Sequence, residues 1–385
     1  MKYEKIRFGD LYAIGSRNGL SKPSKVRGLG YKMINMGELF ANDRIYDIPM
    51  ELVPLKEKEK INAKVEAGDL LFARQSLVLE GAGKCSIVME VSPLTVFESH
   101  LIRVRLLEEA NPSFYYYYFR SALSPIKSIV SQCAQAGIRG SDLQELCVLY
   151  PPKKTQDRIA NILEQYDNLI ENNQKQIKLL EEAAQRLYKE WFVDLHFPGY
   201  EDVEIVDGLP EGWVKKPIYN VFKIKYGKIL PKTMISYNGK YPVYGANGII
   251  GYYQEKNVED YVVLITSRGN GSGDILRTHD KEAFITNNSF IVKAIDNNLG
   301  LSFIYHLMKN TDFKKICTGS AQPQLTNSSI GTIFLTMPNI ELIKIFSNMV
   351  DVWFEKIECL IKENRILEEA RDRLLPKLMS GEIEV

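Results

Sequence analysis

The chain is poor in the residues that build disulfide or metal frameworks. Its five cysteines, Cys85, Cys133, Cys147, Cys317 and Cys359, are odd in number and scattered, which argues against a disulfide scaffold. They form no ligand spacing with the four histidines, His100, His196, His279 and His306, so they read as free buried thiols and no metal site is expected. Neither sign of charge is in excess: 49 Lys+Arg against 48 Asp+Glu leave +1, too little by itself to indicate nucleic acid. No stretch of about 18 apolar residues occurs, and the opening Met1-Lys2-Tyr3-Glu4-Lys5 has no apolar leader core, so a cytoplasmic protein is expected.

What is present is an ordinary soluble composition, 45% hydrophobic and 25% charged over 385 residues, enough for two or three domains with real cores. The charge is uneven. Residues 1–150 carry +3 and residues 200–337 carry +2, while the remaining segments carry −4. A chain of this kind neutralises few phosphates by itself, and any DNA complex would draw further charge from partners.

The chain also repeats itself. Ala134-Gln135, Pro151 and Leu180-Glu181-Glu182-Ala183-Ala184-Gln185-Arg186-Leu187 recur as Ala321-Gln322, Pro338 and Leu367-Glu368-Glu369-Ala370-Arg371-Asp372-Arg373-Leu374, always 187 residues on. That period is far longer than the 20–50 residues of a stacked array, so it marks a duplicated module. Each copy is a globular part followed by a long helix, and two copies suggest a pseudo-two-fold molecule suited to a target with two halves. Residues 1–150 alternate short β-rich runs (Leu70-Leu71-Phe72, Ile87-Val88-Met89, Leu101-Ile102-Arg103-Val104) with polar turns, then start a helix near Asn111-Pro112-Ser113. The second copy keeps that order with Tyr261–Ile265, Ser289–Val292 and a helix containing Ser302–His306. The expected class is therefore mixed α/β: globular domains at 1–150 and 195–337, long helices at 151–194 and 338–385.

Those helices carry a heptad seam. Spacings of four and three select Ile159, Leu163, Tyr166, Ile170, Asn173, Ile177, Leu180, Ala184, Leu187 and Trp191. The same positions plus 187 are Phe346, Val350, Trp353, Ile357, Leu360, Asn364, Leu367, Arg371, Leu374 and Leu378. Pro151-Pro152 precede the first helix and His196-Phe197-Pro198-Gly199 closes it; Pro376 and Gly381 are expected to fray the second. If the two seams pair antiparallel about Lys175 and Lys362, Asn173 faces Asn364, and a buried Asn pair would set register.

Several runs then resemble one family. Lys154-Thr155-Gln156-Asp157-Arg158-Ile159-Ala160-Asn161-Ile162-Leu163 looks like the start of the helical spacer in specificity subunits of type I restriction–modification enzymes. Gln185-Arg186-Leu187-Tyr188-Lys189-Glu190-Trp191-Phe192-Val193 with Phe197-Pro198-Gly199 is similar to the end of that spacer. Leu209-Pro210-Glu211-Gly212-Trp213 and Tyr241–Gly248 resemble parts of a second target-recognition domain, and Thr318–Leu325 its close. The second spacer departs from the pattern, with Asn339-Ile340-Glu341-Leu342-Ile343 in place of the polar run. The resemblance implies a DNA-binding subunit without catalysis of its own. It would choose a bipartite sequence on double-stranded DNA and hold two adenine methyltransferase subunits, which restriction subunits could join. S-adenosylmethionine, ATP and magnesium would belong to those partners, with no cofactor in this chain.

Fragments that look catalytic have plainer readings. Asn111-Pro112-Ser113-Phe114 lacks the second proline of an amino-methyltransferase motif and suits a helix cap. Gly81-Ala82-Gly83-Lys84-Cys85 lacks the first glycine and the Ser/Thr of a phosphate loop, and Gly269-Asn270-Gly271-Ser272-Gly273 lacks dinucleotide spacing. Base reading favours Arg or Lys on guanine and Asn or Gln on adenine. The loops offer Arg27, Lys32, Asn35, Arg74, Gln75, His100 and Arg139 in the first domain. In the second they offer Lys228, Tyr244, Asn247, Arg268, Asn270, Asn287, Asn288, Gln322 and Gln324, with Arg74 and Arg268 in similar places after corresponding strands. A solvated loop is the plain alternative for any single one. The helices would act as a ruler of about 58 Å, so adding four residues to each should lengthen the unread gap by roughly one or two base pairs. A self-contained methyltransferase and a coiled-coil adapter for proteins are the competing readings.

Overall fold

The computed structural model describes residues 3–132, 136–319 and 322–385; Cys133, Ala134-Gln135 and Ser320-Ala321 lie outside them, and with them the leading pair of the repeat. The chain divides into two compact units, Met1–Glu171 with Arg365–Val385, and Asn172–Asn364. Each contains one mixed α/β domain and a stretch of each long helix.

The first unit's main sheet has the order 12–18, 101–106, 70–73, 85–88, 44–45, antiparallel except for the last pair. Leu70–Ala73 is buried throughout, as expected for a central strand of uninterrupted apolar residues. A three-stranded sheet, 51–53, 31–34, 96–97, adds a parallel pair between Ile34 and Phe97. The helix Pro112–Arg120 starts where the Asn-Pro pair predicts. Asn111 Oδ1 accepts from the Phe114 N–H (3.0 Å), while its Nδ2 donates to Asp157 (2.7 Å) and its backbone N–H to Gln156 (2.8 Å). The motif is thus a cap that joins domain to long helix. Phe114 through Phe119 are all buried; Phe8 packs edge-on to Phe72 and Phe119 and contributes about 1.5–3 kcal/mol by burial.

The second unit repeats the plan with one strand fewer: 222–226, 289–294, 263–266, 275–277, and a three-stranded sheet 248–253, 241–245, 284–285. Leu301–Lys309 takes the place of the aromatic helix, capped by Gly300.

The long helices are Lys153–Phe192 and Ile340–Ser380, 40 and 41 residues. In the first unit Ile159 and Leu163 share a core with Leu375, Leu378 and Met379, while Asp167 meets Arg371 at 2.6 Å, so the two stretches run antiparallel. In the second unit Trp191 and Tyr188 pack on Phe346, and Asn173 Nδ2 donates to Asn364 Oδ1 at 3.0 Å, again antiparallel. Ile159, Leu163, Ile170, Phe346, Val350, Ile357 and Leu360 are buried; Tyr166, Ile177, Leu180, Leu187, Trp353, Leu367 and Leu374 are half-buried. Pro376 does not end the second helix, contrary to expectation. Leu378 and Met379 lie in the first unit's core, and their burial outweighs the one helical hydrogen bond that proline removes. Gly381, at φ +75°, is the actual stop.

Candidate nucleic-acid interface

In both units one edge is built from the same four backbone hydrogen bonds. In the first, Leu20 N–H donates to Phe97 O (2.8 Å), Ser99 N–H to Leu20 O (2.9 Å), Arg74 N–H to His100 O (2.8 Å) and Ile138 N–H to Arg74 O (2.9 Å). In the second, Lys228 N–H donates to Ile285 O (2.9 Å), Asn287 N–H to Lys228 O (3.0 Å), Ser267 N–H to Asn288 O (2.8 Å) and Leu325 N–H to Ser267 O (2.9 Å). The close approach demands glycine just before each first donor. A Cβ on Gly19 would stand 2.0 Å from Phe97 O, and one on Gly227 2.4 Å from Ile285 O.

These bonds align the two copies residue by residue and correct one expectation. Arg74 corresponds to Ser267, not to Arg268. The partner of Arg268 is Gln75, since Gln75 pairs with Gly137 where Arg268 bridges to Gln324. A one-residue shift reverses which side of an extended strand a side chain takes, so the two arginines do not play one role.

The edges gather most of the predicted residues. Arg74, Gln75, His100 and Arg139 belong to the first; the Arg74 guanidinium also reaches Ser99 O at 3.4 Å, and His100 lies 3.8 Å from Glu98. Lys228, Arg268, Asn270, Asn287, Asn288, Gln322 and Gln324 belong to the second, with Asn247 alongside, because Thr266 Oγ1 donates to Ala246 O at 2.8 Å. Arg139, Lys228 and Arg268 are exposed, and among the described residues none has an acidic partner.

Four predictions fall elsewhere. Tyr244 is only 2% exposed; its hydroxyl accepts from His279 N–H (2.9 Å) and donates to Asp280 (3.2 Å), so it is a core residue that cannot meet a ligand from the surface. Its counterpart is the buried Ile34. Arg27, Lys32 and Asn35 cluster on the three-stranded sheet around carboxylates. Arg27 pairs with Glu51 at 2.6 Å, Lys32 with Asp47 at 2.7 Å, and Asn35 starts the helix Met36–Ala41 with its N–H on Glu38. Lys32, then Ser92, hold the Asp47 carboxyl below its ordinary range. Those cations are already spent on the protein's own acids. The Gly81–Lys84 run is likewise structural, Lys84 Nζ donating to Phe40 O (2.9 Å) beside Asp43 (3.1 Å). Ser99 and Ser267, which the composition argument passed over, are edge residues; the repeated glycine before Leu20 and Lys228 was the available signal.

Two similar domains, each with a loop edge of amide and guanidinium groups, define a DNA-specificity protein of the type I restriction–modification class. The model of the type I restriction modification DNA specificity domain matches residues 1–182 and 210–358, and the chain belongs to that family. Among its relatives, the MjaIX specificity subunit of Methanocaldococcus jannaschii is 29% identical over 71% of this chain and 69% of its own. A putative MjaX specificity subunit from the same organism is 24% identical over 96% of this chain and 91% of its own. The fold is similar to the crystal structure of the type I restriction–modification S subunit of M. genitalium, with TM-score 0.63, 20% identity and coverage of 98% and 96%. No helix among the described residues is long and apolar enough to cross a membrane.

Proposed function

We propose that each edge reads one half of a two-part target on double-stranded DNA, and that the halves differ in sequence. The observation that carries this reading is one backbone plan bearing two sets of side chains. Leu20, Arg74, Gln75 and His100 in one copy stand where Lys228, Ser267, Arg268 and Asn288 stand in the other. A shared scaffold accounts for like docking on two groove segments, and different donors and acceptors account for unlike bases. The exposed Arg268 is the guanine reader of the second half, and Gln75 the adenine reader of the first. Arg27, Lys32 and Tyr244 drop out of this reading because their polar groups are already engaged within the protein.

The chain works in this reading as a subunit without chemistry of its own, in the cytoplasm, with two methyltransferase subunits on its long helices and restriction subunits joining them. Leu179 and Ile366 support two copies of one partner: they occupy the same repeat position and are 64% and 67% exposed, large apolar side chains left uncovered. S-adenosylmethionine, ATP and magnesium sit on those partners.

Co-purification with a candidate type I methyltransferase subunit, followed by sequencing of methylated adenines in the expressing cell, tests the proposal. A motif of two unlike halves with a fixed gap is expected; a continuous or palindromic motif would rule it out. Arg268→Ala should cost about 1–3 kcal/mol of specific binding and relax one position of one half only.

A further inference from the structure

The two edges differ most just beyond the paired positions Gln75 and Arg268. The chain leaves each edge and returns through matching hydrogen bonds. Gly83 N–H donates to Ala73 O and Gly273 N–H to Thr266 O, both at 2.8 Å, with φ +77° and +89°. Between those points the first copy has residues 74–83 and the second 267–273, so the first loop is three residues longer. The tip of the longer loop is apolar and uncovered. Leu77, Val78 and Leu79 are 91%, 59% and 46% exposed. Ser76 is paired with Ala136 as Gly269 is with Pro323, which makes Asn270 the counterpart of Leu77.

We propose that Leu77 is a specificity-determining residue that packs on the 5-methyl group of a thymine in the half-site read by the first domain. The inference rests on the DNA-reading edge described above. A bare leucine at a loop tip gains nothing from water, and water recovers its freedom when an apolar surface covers the side chain. The apolar group that the major groove displays is the thymine methyl. It belongs to the same base pair as the adenine N6 and N7 that an adjacent glutamine can bind, and Gln75 stands two residues before Leu77. Asn270 carries an amide in place of that apolar tip, so the second half-site has no such contact at this position.

Full-length protein, with the methyltransferase subunit that co-purifies with it, is titrated with duplexes of its target in which each thymine of the first half is replaced in turn by uracil, which lacks only the methyl. One replacement should weaken binding about fourfold, the worth of one methylene-sized group removed from apolar contact. Leu77→Ala should be equally indifferent to thymine and uracil there, with an unchanged melting temperature since the side chain is exposed. Asn270→Ala, which acts on the other half, should leave the uracil effect in place. Indifference of the wild type to every uracil overturns the proposal, as does a uracil effect that survives in Leu77→Ala. If Leu77→Asn releases the methyltransferase subunit while no uracil matters, the tip is a protein contact and the proposal is wrong. If no duplex shows sequence preference at all, the reading of the edges fails first, and this inference with it.

Discussion

The two units fasten their domains to the long helices through the same glutamate and through different arginines. Glu171 and Glu358 are 187 residues apart, the period of the repeat. In the first unit Glu171 takes Arg44 (3.2 Å) and the Tyr46 hydroxyl (2.8 Å). In the second, Glu358 takes Arg277 and His279 Nδ1, the latter at 3.0 Å. Arg44 lies on the edge strand 44–45 that the second sheet lacks, and Arg277 on the strand 275–277 that forms the edge without it. The helix keeps its acid, and whichever strand ends the sheet supplies the base. Domains can thus diverge in strand number while the attachment survives.

One helical turn away, the chemistry itself has changed. Asp167 accepts from Arg371 and from the Tyr117 hydroxyl, both at 2.6 Å. Burial works against the Arg371 charge, but Asp167 and Asp372 carry its pKa above the ordinary value. The repeat mates of Asp167 and Arg371 are Phe354 and Ala184. His306, sixth in its helix as Tyr117 is in its own, lies 6.0 Å ring to ring from Phe354 and stacks on Tyr188 at 5.6 Å. A polar triad in one unit is an aromatic cluster in the other.

The largest expected effect sharpens the first contrast. Glu358→Ala strands Arg277 in a buried site, where it also lies over the Phe354 ring, and should cost about 3–5 kcal/mol in denaturant melts. Glu171 is more exposed, so Glu171→Ala should cost about 1–2 kcal/mol. Equal losses would show that burial does not set the strength of the joint. Asp167→Ala should cost about 2 kcal/mol, and the pair Asp167→Phe with Arg371→Ala, which installs the second unit's residues, should restore part of that loss. A double variant weaker than the single one would mean that the polar triad is required by its surroundings.

Acid should also separate the units. Burial, with Lys309 and Arg277 adding, lowers His306 from 6.5 to about 3, so the folded chain refuses a proton that the unfolded chain accepts. That contribution is intact above pH 6.5 and is lost as pH falls toward 3, about 2 kcal/mol of it between roughly pH 7 and pH 5. Asp351, whose carboxyl burial raises, works in the opposite sense, so Asp351→Asn is the proper background. Amide exchange should report earlier opening of the second unit at pH 5, and His306→Tyr, the first unit's residue, should abolish the slope. The smallest effect concerns register. Asn173→Leu alone should cost about 1 kcal/mol by leaving Asn364 unpaired, while changing both to leucine should be near neutral in stability. If the double change costs more than the single one, the pair does more than satisfy itself.

How much of this was legible depended on periodicity. The seam from Ile159 to Trp191 could be seen because heptad spacing persists for about nine turns. The facing of Asn173 and Asn364 followed from the repeat and an assumed antiparallel sense. The ion pair of Asp167 with Arg371 did not, because its 204-residue separation shares nothing with the 187-residue period. The Gln75–Arg268 correspondence was missed by one residue, and Tyr244 was misjudged, because loops of unequal length hide both alignment and burial. For Arg27 and Lys32 the residue types suited DNA, but their acids, Glu51 and Asp47, are brought to them by folding.

The amino-acid order by itself determined the duplication, the α/β succession within each copy, the long helices and their apolar seam, since these follow from local periodicity and capping. Tertiary structure alone decided which loop residues share an edge, which cations are left unpaired, and which arginine reaches the helix glutamate. Those are facts about proximity, and proximity between residues dozens to hundreds of positions apart is set by packing of the whole chain.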